Sequence, residues 1–148
     1  MTRRPLMERL WERTCCGNAQ AMEFLGQWAT YAHEIDDVVD GVRTSREEVL
    51  ATFARAPMLY SHPFYLRNLA ALRAVVLVIG NAFADSVAWE QSPVEWQRAW
   101  ADHNRHAGME MVIAVAQICG GYEHARALSA EHRCICWEEH HGRDGEPN

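Results

Sequence analysis

The sequence has no long uninterrupted hydrophobic run and no recognisable export signal. Four charged residues lie between positions 8 and 13, whereas a secretory signal needs a continuous apolar stretch followed by small residues. The longest strongly apolar run, residues 69–79, contains Arg73 and is shorter than the roughly 20 residues of a membrane-spanning helix. We therefore expect a cytoplasmic protein that does not cross a membrane.

The cysteines are too few and too irregularly spaced for a disulfide framework. There are five, an odd number: Cys15 and Cys16 are adjacent, Cys119 is isolated, and Cys134 and Cys136 are two positions apart. Two side chains at this last spacing diverge by about 200° on a helix, so they are poorly placed to bind one zinc ion together. The pattern favours reduced cysteines in a cytoplasmic environment.

The chain also lacks internal repeats, a glycine-rich phosphate loop and a Ser/His/Asp nucleophile motif. Its 148 residues are enough for one compact domain and too few for two ordinary ones. Hydrophobic residues make up 49% and charged residues 23%, a mixture typical of globular proteins. The net charge of −6 disfavours nucleic acid and anionic lipid as partners. We predict one helical domain over residues 1–140 and a flexible tail over residues 141–148.

Hydrophobic residues recur at helical spacing along almost the whole chain, and strand-like alternation is nearly absent. Capping residues, prolines and glycines divide the pattern into six segments. These predicted helices cover residues 5–17, 18–41, 45–57, 63–91, 93–119 and 122–140. The fourth is apolar around most of its circumference, which is typical of a central helix. The predicted fold class is all-α, a single up-and-down bundle of five to six helices.

A cluster of acidic residues lies at the end of the second predicted helix. His33, Asp36 and Asp40 fall within an arc of roughly 60° beside the apolar stripe, and Asp37 lies a little further round. The helix macrodipole disfavours each of these carboxylates by about 0.3–1 kcal/mol, before their mutual repulsion is counted. A divalent cation would compensate, and such oxygen ligands suit Mg²⁺, Mn²⁺ or Ca²⁺. The alternative is that an arginine such as Arg43 or Arg46 neutralises the acids.

A second polar pair interrupts the apolar fourth helix. Asn81 and Asp85 are one turn apart on the same helix face, between alanine and leucine side chains. A buried carboxylate without a partner costs several kcal/mol, so we expect Asp85 to have one. Together with Asp36, Asp37 and Asp40, the pair predicts a metal site between two helices.

The fifth predicted helix carries further candidates on one face. Asp102, His106 and Glu110 are spaced four residues apart and could supply metal ligands, a general base or substrate contacts. His106 could equally be a structural histidine of the bundle. Three arginines are candidates for binding phosphate, unless each is solvated or paired with a carboxylate. They are Arg67, Arg73 and Arg105.

These motifs resemble those of known metal-dependent enzymes. The stretch from Asp36 to Asp40 matches the DDxxD pattern of the all-α isoprenoid synthases, and Asn81-x-x-x-Asp85 is similar to a reduced form of their second motif. The chain's small size is closer to the all-α nucleotide pyrophosphohydrolases of the MazG and dimeric dUTPase type. Both resemblances imply magnesium held against a diphosphate. The pattern of tryptophan and histidine before an Asp-Asp helix end also resembles small uncharacterised proteins of phages and mobile gene cassettes.

The sequence leads to two functional hypotheses. In the first, Asp36, Asp37, Asp40, Asn81 and Asp85 bind Mg²⁺ or Mn²⁺ and the protein hydrolyses a small diphosphate-containing molecule, such as a nucleotide. An attacking water would be oriented by one of three further residues, namely His33, His106 or Glu110. In the second, the protein is a non-catalytic helical module that binds a partner protein or a ligand through its tryptophan-bearing faces. Six tryptophans in so short a chain also favour a homodimer, although no residue pattern identifies the interface.

Overall fold

The computed structural model describes the backbone of residues 3–141 and the side chains of residues 8–138. Helices and turns make up this part of the chain, with no strand, which confirms the all-α class. The helices are α1 (Arg3–Thr14), α2 (Ala19–Val39), α3 (Arg46–Tyr60), α4 (Pro63–Arg67), α5 (Leu69–Trp89), α6 (Glu95–Arg105) and α7 (Met109–His141). The predicted tail lies outside the described residues from position 142 onwards. The extent of the domain and its up-and-down order stay predictions.

Two helix starts follow from the sequence, and a third differs. Asn18 caps α2 by accepting a hydrogen bond from the Ala21 amide, and Ser45 forms the predicted capping box with Glu48. The helix start expected near Pro93 lies at Glu95 instead. Its capping box does not form, because the Ser92 hydroxyl accepts a hydrogen bond from the Val94 amide and contacts Gln97.

The described residues contain seven helices rather than five or six, because two predicted helices are divided and the end of the fifth is joined to the sixth in α7. The first division is at Asn68, whose side chain donates to the Phe64 carbonyl between α4 and α5. The second is the turn of residues 106–108 between α6 and α7. The predicted separation near Gly121 is present as a break within α7, where Gly121 has φ +84° and ψ 179°, a conformation essentially restricted to glycine. Pro57 does not end α3, which continues to Tyr60.

The hydrophobic core lies between α2, α4 and the first half of α7. It is built from large apolar side chains, and one face of α5 closes it. Its largest members are Phe24, Leu25, Trp28, Leu59, Phe64, Tyr65, Leu72, Ile79, Met111, Val112 and Val115. Around this core, α3 packs on α2, α6 packs on α5, and α1 packs on α7.

The prediction that the apolar fourth helix is central was wrong. In α5 the buried side chains are Leu72, Ile79 and Ser86, whereas Leu77 and Val78 are 60% and 63% exposed. By length and composition alone, α5 could cross a membrane: its mean hydropathy is 1.6 and 11% of the apolar stretch is buried. Length and composition are weak evidence for a span, and the cytoplasmic location stays a prediction.

A buried carboxylate joins α2 to α3. Glu34 is 8% exposed and accepts a hydrogen bond from Arg55 at 2.6 Å, while Arg43 lies 3.6 Å away. The hydrogen bond from Arg55, together with the charges of both arginines, outweighs burial and lowers the pKa of Glu34. Glu34 is therefore ionised at neutral pH and holds the C-terminal part of α2, which carries the predicted acidic cluster.

Candidate functional site

A cavity of about 340 Å³ opens where α2, α5, the α6–α7 turn and the second half of α7 meet. This volume lies at the lower end of the range of roughly 300–1,000 Å³ found for small-molecule sites. Its walls are mainly apolar, and its ring-bearing residues are Trp11, Trp28, Tyr31, Tyr60 and Phe83. Its polar residues are His33, Asp36, Asn104, Arg105, His106, His132 and Cys136.

The aromatic walls are held by specific contacts. The indole nitrogen of Trp28 donates to the Gly108 carbonyl at 3.2 Å, which attaches α2 to the α6–α7 turn. Tyr31 and Tyr60 meet edge to face with ring centroids 6.4 Å apart. Burial raises the pKa of Tyr31, and burial followed by the charges of Tyr31 and Tyr65 raises the pKa of Tyr60 to about 12. Both phenols therefore stay neutral at physiological pH, and these walls carry no charge.

One side of the cavity is bounded by an arginine with three carboxylate partners. The guanidinium of Arg105 lies 2.7 Å from Asp36, 3.5 Å from Asp40 and 2.6 Å from Glu90, and it also sits over the Phe83 ring. Burial lowers the pKa of Arg105, but the three carboxylates outweigh it and raise that pKa. We refer to Arg105, Asp36, Asp40 and Glu90 as the arginine cluster. Its carboxylates outnumber its single cation.

A buried hydrogen-bond chain reaches the cavity from α1. The Thr14 hydroxyl lies 2.7 Å from the Leu10 carbonyl and 2.7 Å from Nε2 of His132. A carbonyl can only accept, so both contacts are hydrogen bonds at once only when the hydroxyl proton goes to Leu10 and the Thr14 oxygen accepts from His132. In this arrangement Nε2 of His132 carries a proton. His132 is 1% exposed, and burial lowers its pKa to about 4, so the ring is neutral.

The tautomer determines what the other ring nitrogen can do. In a neutral imidazole with a proton on Nε2, Nδ1 has a lone pair and can only accept a hydrogen bond. Nδ1 of His132 is buried and has no hydrogen-bond partner among the described residues. Since His132 lines the cavity, the wall includes a buried acceptor without a protein donor.

Of the predicted site residues, the structure brings four close together. His33, Asp36 and His106 all line the cavity, and Asp40 joins them through the arginine cluster. Nδ1 of His106 lies 3.5 Å from the sulfur of Cys136, a contact between the α6–α7 turn and the end of α7. His106 of the fifth predicted helix therefore lines the same cavity as His33 and Asp36 of the second.

The other predicted site residues lie outside the cavity wall. The Asp37 carbonyl accepts from the amides that follow α2, and Glu110 pairs with Arg133 at 2.8 Å. Asn81 is exposed on the outer face of α5. Asp85 lines a separate shallow depression with tryptophans of α5 and α6. The two predicted oxygen clusters therefore do not share one cavity.

Among the described residues, no group of three or more His, Cys, Asp or Glu side chains could hold a metal ion. Asp36 and Asp40 direct oxygens at Arg105, so a guanidinium takes the place that a dication would need. As arranged, these residues do not fit a Mg²⁺ site. An arginine pairs with these acids, but it is Arg105 rather than the predicted Arg43 or Arg46, and Arg43 pairs with Glu34 instead. The Mg²⁺ or Mn²⁺ cofactor stays a prediction.

No protein-family model, curated protein or solved structure matches the chain. The resemblance to isoprenoid synthases and nucleotide pyrophosphohydrolases therefore depends on the two short motifs alone. Function has to be argued from the cavity and its polar groups.

The sequence pattern did not single out His132 as a site residue. A signal was present: Ala125, Leu128, His132 and Cys136 follow one another at helical spacing on one face. A histidine on such a face is buried and needs a partner. That partner, Thr14, is 118 positions away, so it could not be assigned from local spacing.

Proposed function

We propose that the protein binds a small, mainly apolar molecule in the cavity between α2, α5 and α7. The observation that carries this proposal is the aromatic lining of a cavity of ligand-sized volume next to the core. Apolar walls with a few polar groups are typical of small-molecule sites. This is the ligand-binding form of the non-catalytic hypothesis, with Trp11 and Trp28 supplying the predicted tryptophan surface.

The polar side chains of the cavity favour binding over hydrolysis. Asp36 is engaged by Arg105 at 2.7 Å, and His106 contacts Cys136. The described cavity residues include no group of three or more His, Cys, Asp or Glu side chains that could hold a metal ion. These side chains are suited to orient a ligand and to keep the cavity wall in place.

The expected affinity follows from the area that a ligand would bury. Removing about 200 Å² of apolar ligand surface from water contributes about 5 kcal/mol. The loss of translational and rotational freedom offsets part of this gain. The gain of about 5 kcal/mol alone would correspond to a Kd of about 0.2 mM, so a fragment with two fused rings should bind with a Kd on the order of 1 mM or weaker.

A cavity-filling substitution tests the proposal. Gly80 lines the cavity, and a Cβ at this position would contact nothing within 4 Å, so leucine in Gly80→Leu would extend into the site. Gly26→Leu is a matched control, because Gly26 lies in α2 with equally open space at its Cβ and does not line the cavity. In isothermal titration with naphthalene-based fragments, we expect Gly80→Leu to weaken binding at least about tenfold and Gly26→Leu to leave it unchanged. Equal affinity of the two variants would mean that the ligand binds outside this cavity.

We further propose that the predicted homodimer forms through the outer face of α5. Six exposed residues of α5 are spaced alternately four and three positions apart, as in the seam of a helix pair. They are Ala70, Ala74, Leu77, Asn81, Ala84 and Ala88. Small side chains allow two helices to approach closely, and a single asparagine in such a seam selects the register. The same face is self-complementary, which favours a second copy of the chain as its partner.

Sedimentation velocity tests this interface. We expect a concentration-dependent dimer that Leu77→Glu dissociates and that Leu50→Glu leaves intact, because Leu50 is comparably exposed but lies on α3. A monomer at all concentrations would contradict the dimer. Flotation of the purified chain with phospholipid vesicles would instead identify a bilayer as the partner of α5.

The metal-dependent hydrolase stays a competing prediction, which requires Asp36 and Asp40 to exchange Arg105 for a metal ion. Its test is release of phosphate or pyrophosphate from nucleotides with Mg²⁺ or Mn²⁺, lost in Asp36→Ala. If the cavity binds a ligand without hydrolysing it, neither metal raises the melting temperature and no phosphate is released.

A further inference from the structure

One residue that lines the cavity, His132, has a buried ring nitrogen whose chemical role the protein leaves open. His132 is 1% exposed, its Nε2 donates to Thr14, and its Nδ1 has no partner among the described residues. Burying an acceptor without a donor is unfavourable, and native proteins seldom leave such atoms unpaired. A donor supplied from the cavity would remove this cost.

The tautomer gives the direction of the missing hydrogen bond. The Thr14 hydroxyl gives its only proton to the Leu10 carbonyl, so it holds the proton of His132 on Nε2. Nδ1 then offers a lone pair and no proton. A ligand group facing this atom must donate a hydrogen bond, which excludes ethers, carbonyls and carboxylates as partners of Nδ1.

On the basis of the proposed function, we infer that the ligand is a fused-ring or similarly apolar molecule that carries a hydroxyl or N–H group, and that this group donates to Nδ1 of His132. The aromatic walls bind the apolar part, and His132 sets its orientation. Thr14 acts as a positioning residue, because it reaches the ligand only through the imidazole.

The arginine cluster restricts the ligand's charge. Three carboxylates surround the one guanidinium of Arg105 at 2.6 Å to 3.5 Å, so the excess charge at this side of the cavity is negative. Anionic ligands are repelled, and neutral or cationic ones are favoured. The expected ligand is therefore a neutral aromatic alcohol or N–H heterocycle, or an aromatic amine.

Three probes of nearly equal shape test the inference: 2-naphthol, 2-methoxynaphthalene and naphthalene. Only the first can donate a hydrogen bond. With wild-type protein we expect 2-naphthol to bind about five- to tenfold more tightly than the other two. In His132→Phe this preference should disappear, because phenylalanine keeps a planar ring at this position but offers no hydrogen-bond acceptor. The naphthalene affinity should stay within about twofold of wild type.

Nitrogen-15 spectra of the histidine rings give a second readout that does not require a variant. We expect His132 to be protonated on Nε2, and the Nδ1 resonance to move when 2-naphthol is added and not when 2-methoxynaphthalene is added. This measurement tests the inference independently if His132→Phe does not fold.

The outcomes separate the two proposals. Equal affinity of the three probes in wild type, with binding blocked in Gly80→Leu, overturns the donor inference and leaves the binding function standing. A preference for 2-naphthol that persists in His132→Phe also overturns it. If none of the probes binds, the proposed function itself fails, and the inference fails with it.

Discussion

Acid should destabilise the protein through His132, and the size of the effect can be worked from the structure. Burial lowers the pKa of this ring from 6.5 to about 4 in the folded state. Between these two values the unfolded chain binds a proton that the folded chain does not. The stabilising contribution is therefore complete above about pH 6.5 and is lost as the pH falls toward about 4. Each pKa unit corresponds to about 1.4 kcal/mol, which gives a loss of up to about 3 kcal/mol.

The perturbation that isolates this effect is His132→Gln. Glutamine preserves a donor to Thr14 and does not titrate. At about pH 7.5 the variant should be the less stable protein, because it loses the packing of the ring. As the pH falls to about 4.5, the wild type should lose up to about 3 kcal/mol more than the variant. The difference in free energy of unfolding between the two proteins should therefore narrow by that amount.

Urea unfolding followed by tryptophan fluorescence across this pH range measures this difference in free energy of unfolding. The exposed histidines and the carboxylates titrate in both proteins, so their contributions cancel in the difference. A gap that stays constant from about pH 7.5 to about pH 4.5 would refute the reasoning. It would mean that His132 is solvated or paired in its charged form, and the tautomer assigned through Thr14 would no longer hold.

Three further predictions concern stability and are read out by urea unfolding at neutral pH. Leu72→Ala should lower the free energy of unfolding by about 2–5 kcal/mol, because this side chain is fully buried. Leu77→Ala, on the outer face of α5, should change the stability of the monomer by less than about 0.5 kcal/mol. A larger loss in Leu77→Ala than in Leu72→Ala would show that α5 packs on the core through its opposite face. Gly121→Ala should cost about 1–3 kcal/mol, because φ is +84° at this break, and no loss would mean that α7 is continuous. Glu34→Gln should cost about 1–3 kcal/mol, because it weakens the 2.6 Å contact with Arg55, and a stabilised variant would show that the carboxylate is unfavourable where it lies.

The helices could largely be predicted from the sequence because their signals are local. The capping box of Ser45 and Glu48, the cap at Asn18 and the break at Gly121 all depend on residues within one turn of each other. The exceptions also have local causes. The side chain of Asn68 replaces a regular continuation between α4 and α5, and helical geometry tolerates Pro57 near the end of α3.

The candidate site could be predicted only in part. The cluster around Asp36 was identified because carboxylates at a helix end oppose the macrodipole and require a cation. The identity of that cation is not a local property: it is Arg105, 69 positions along the chain. A metal site and an arginine-paired cluster produce the same local pattern of acidic residues, since a metal ion and an arginine neutralise the same charges.

By itself, the sequence determined the all-α class, most of the helix positions and the need to compensate the acids of α2, because periodicity, capping and charge repulsion act over a few residues. The tertiary structure alone decided which groups meet: Arg105 with Asp36, Thr14 with His132 across 118 positions, and aromatic rings of α1, α2, α3 and α5 around one cavity. It also decided that the apolar face of α5 points outward. An apolar stripe shows that a helix face should be removed from water, but the core of the same chain, a second copy and a bilayer all satisfy that requirement.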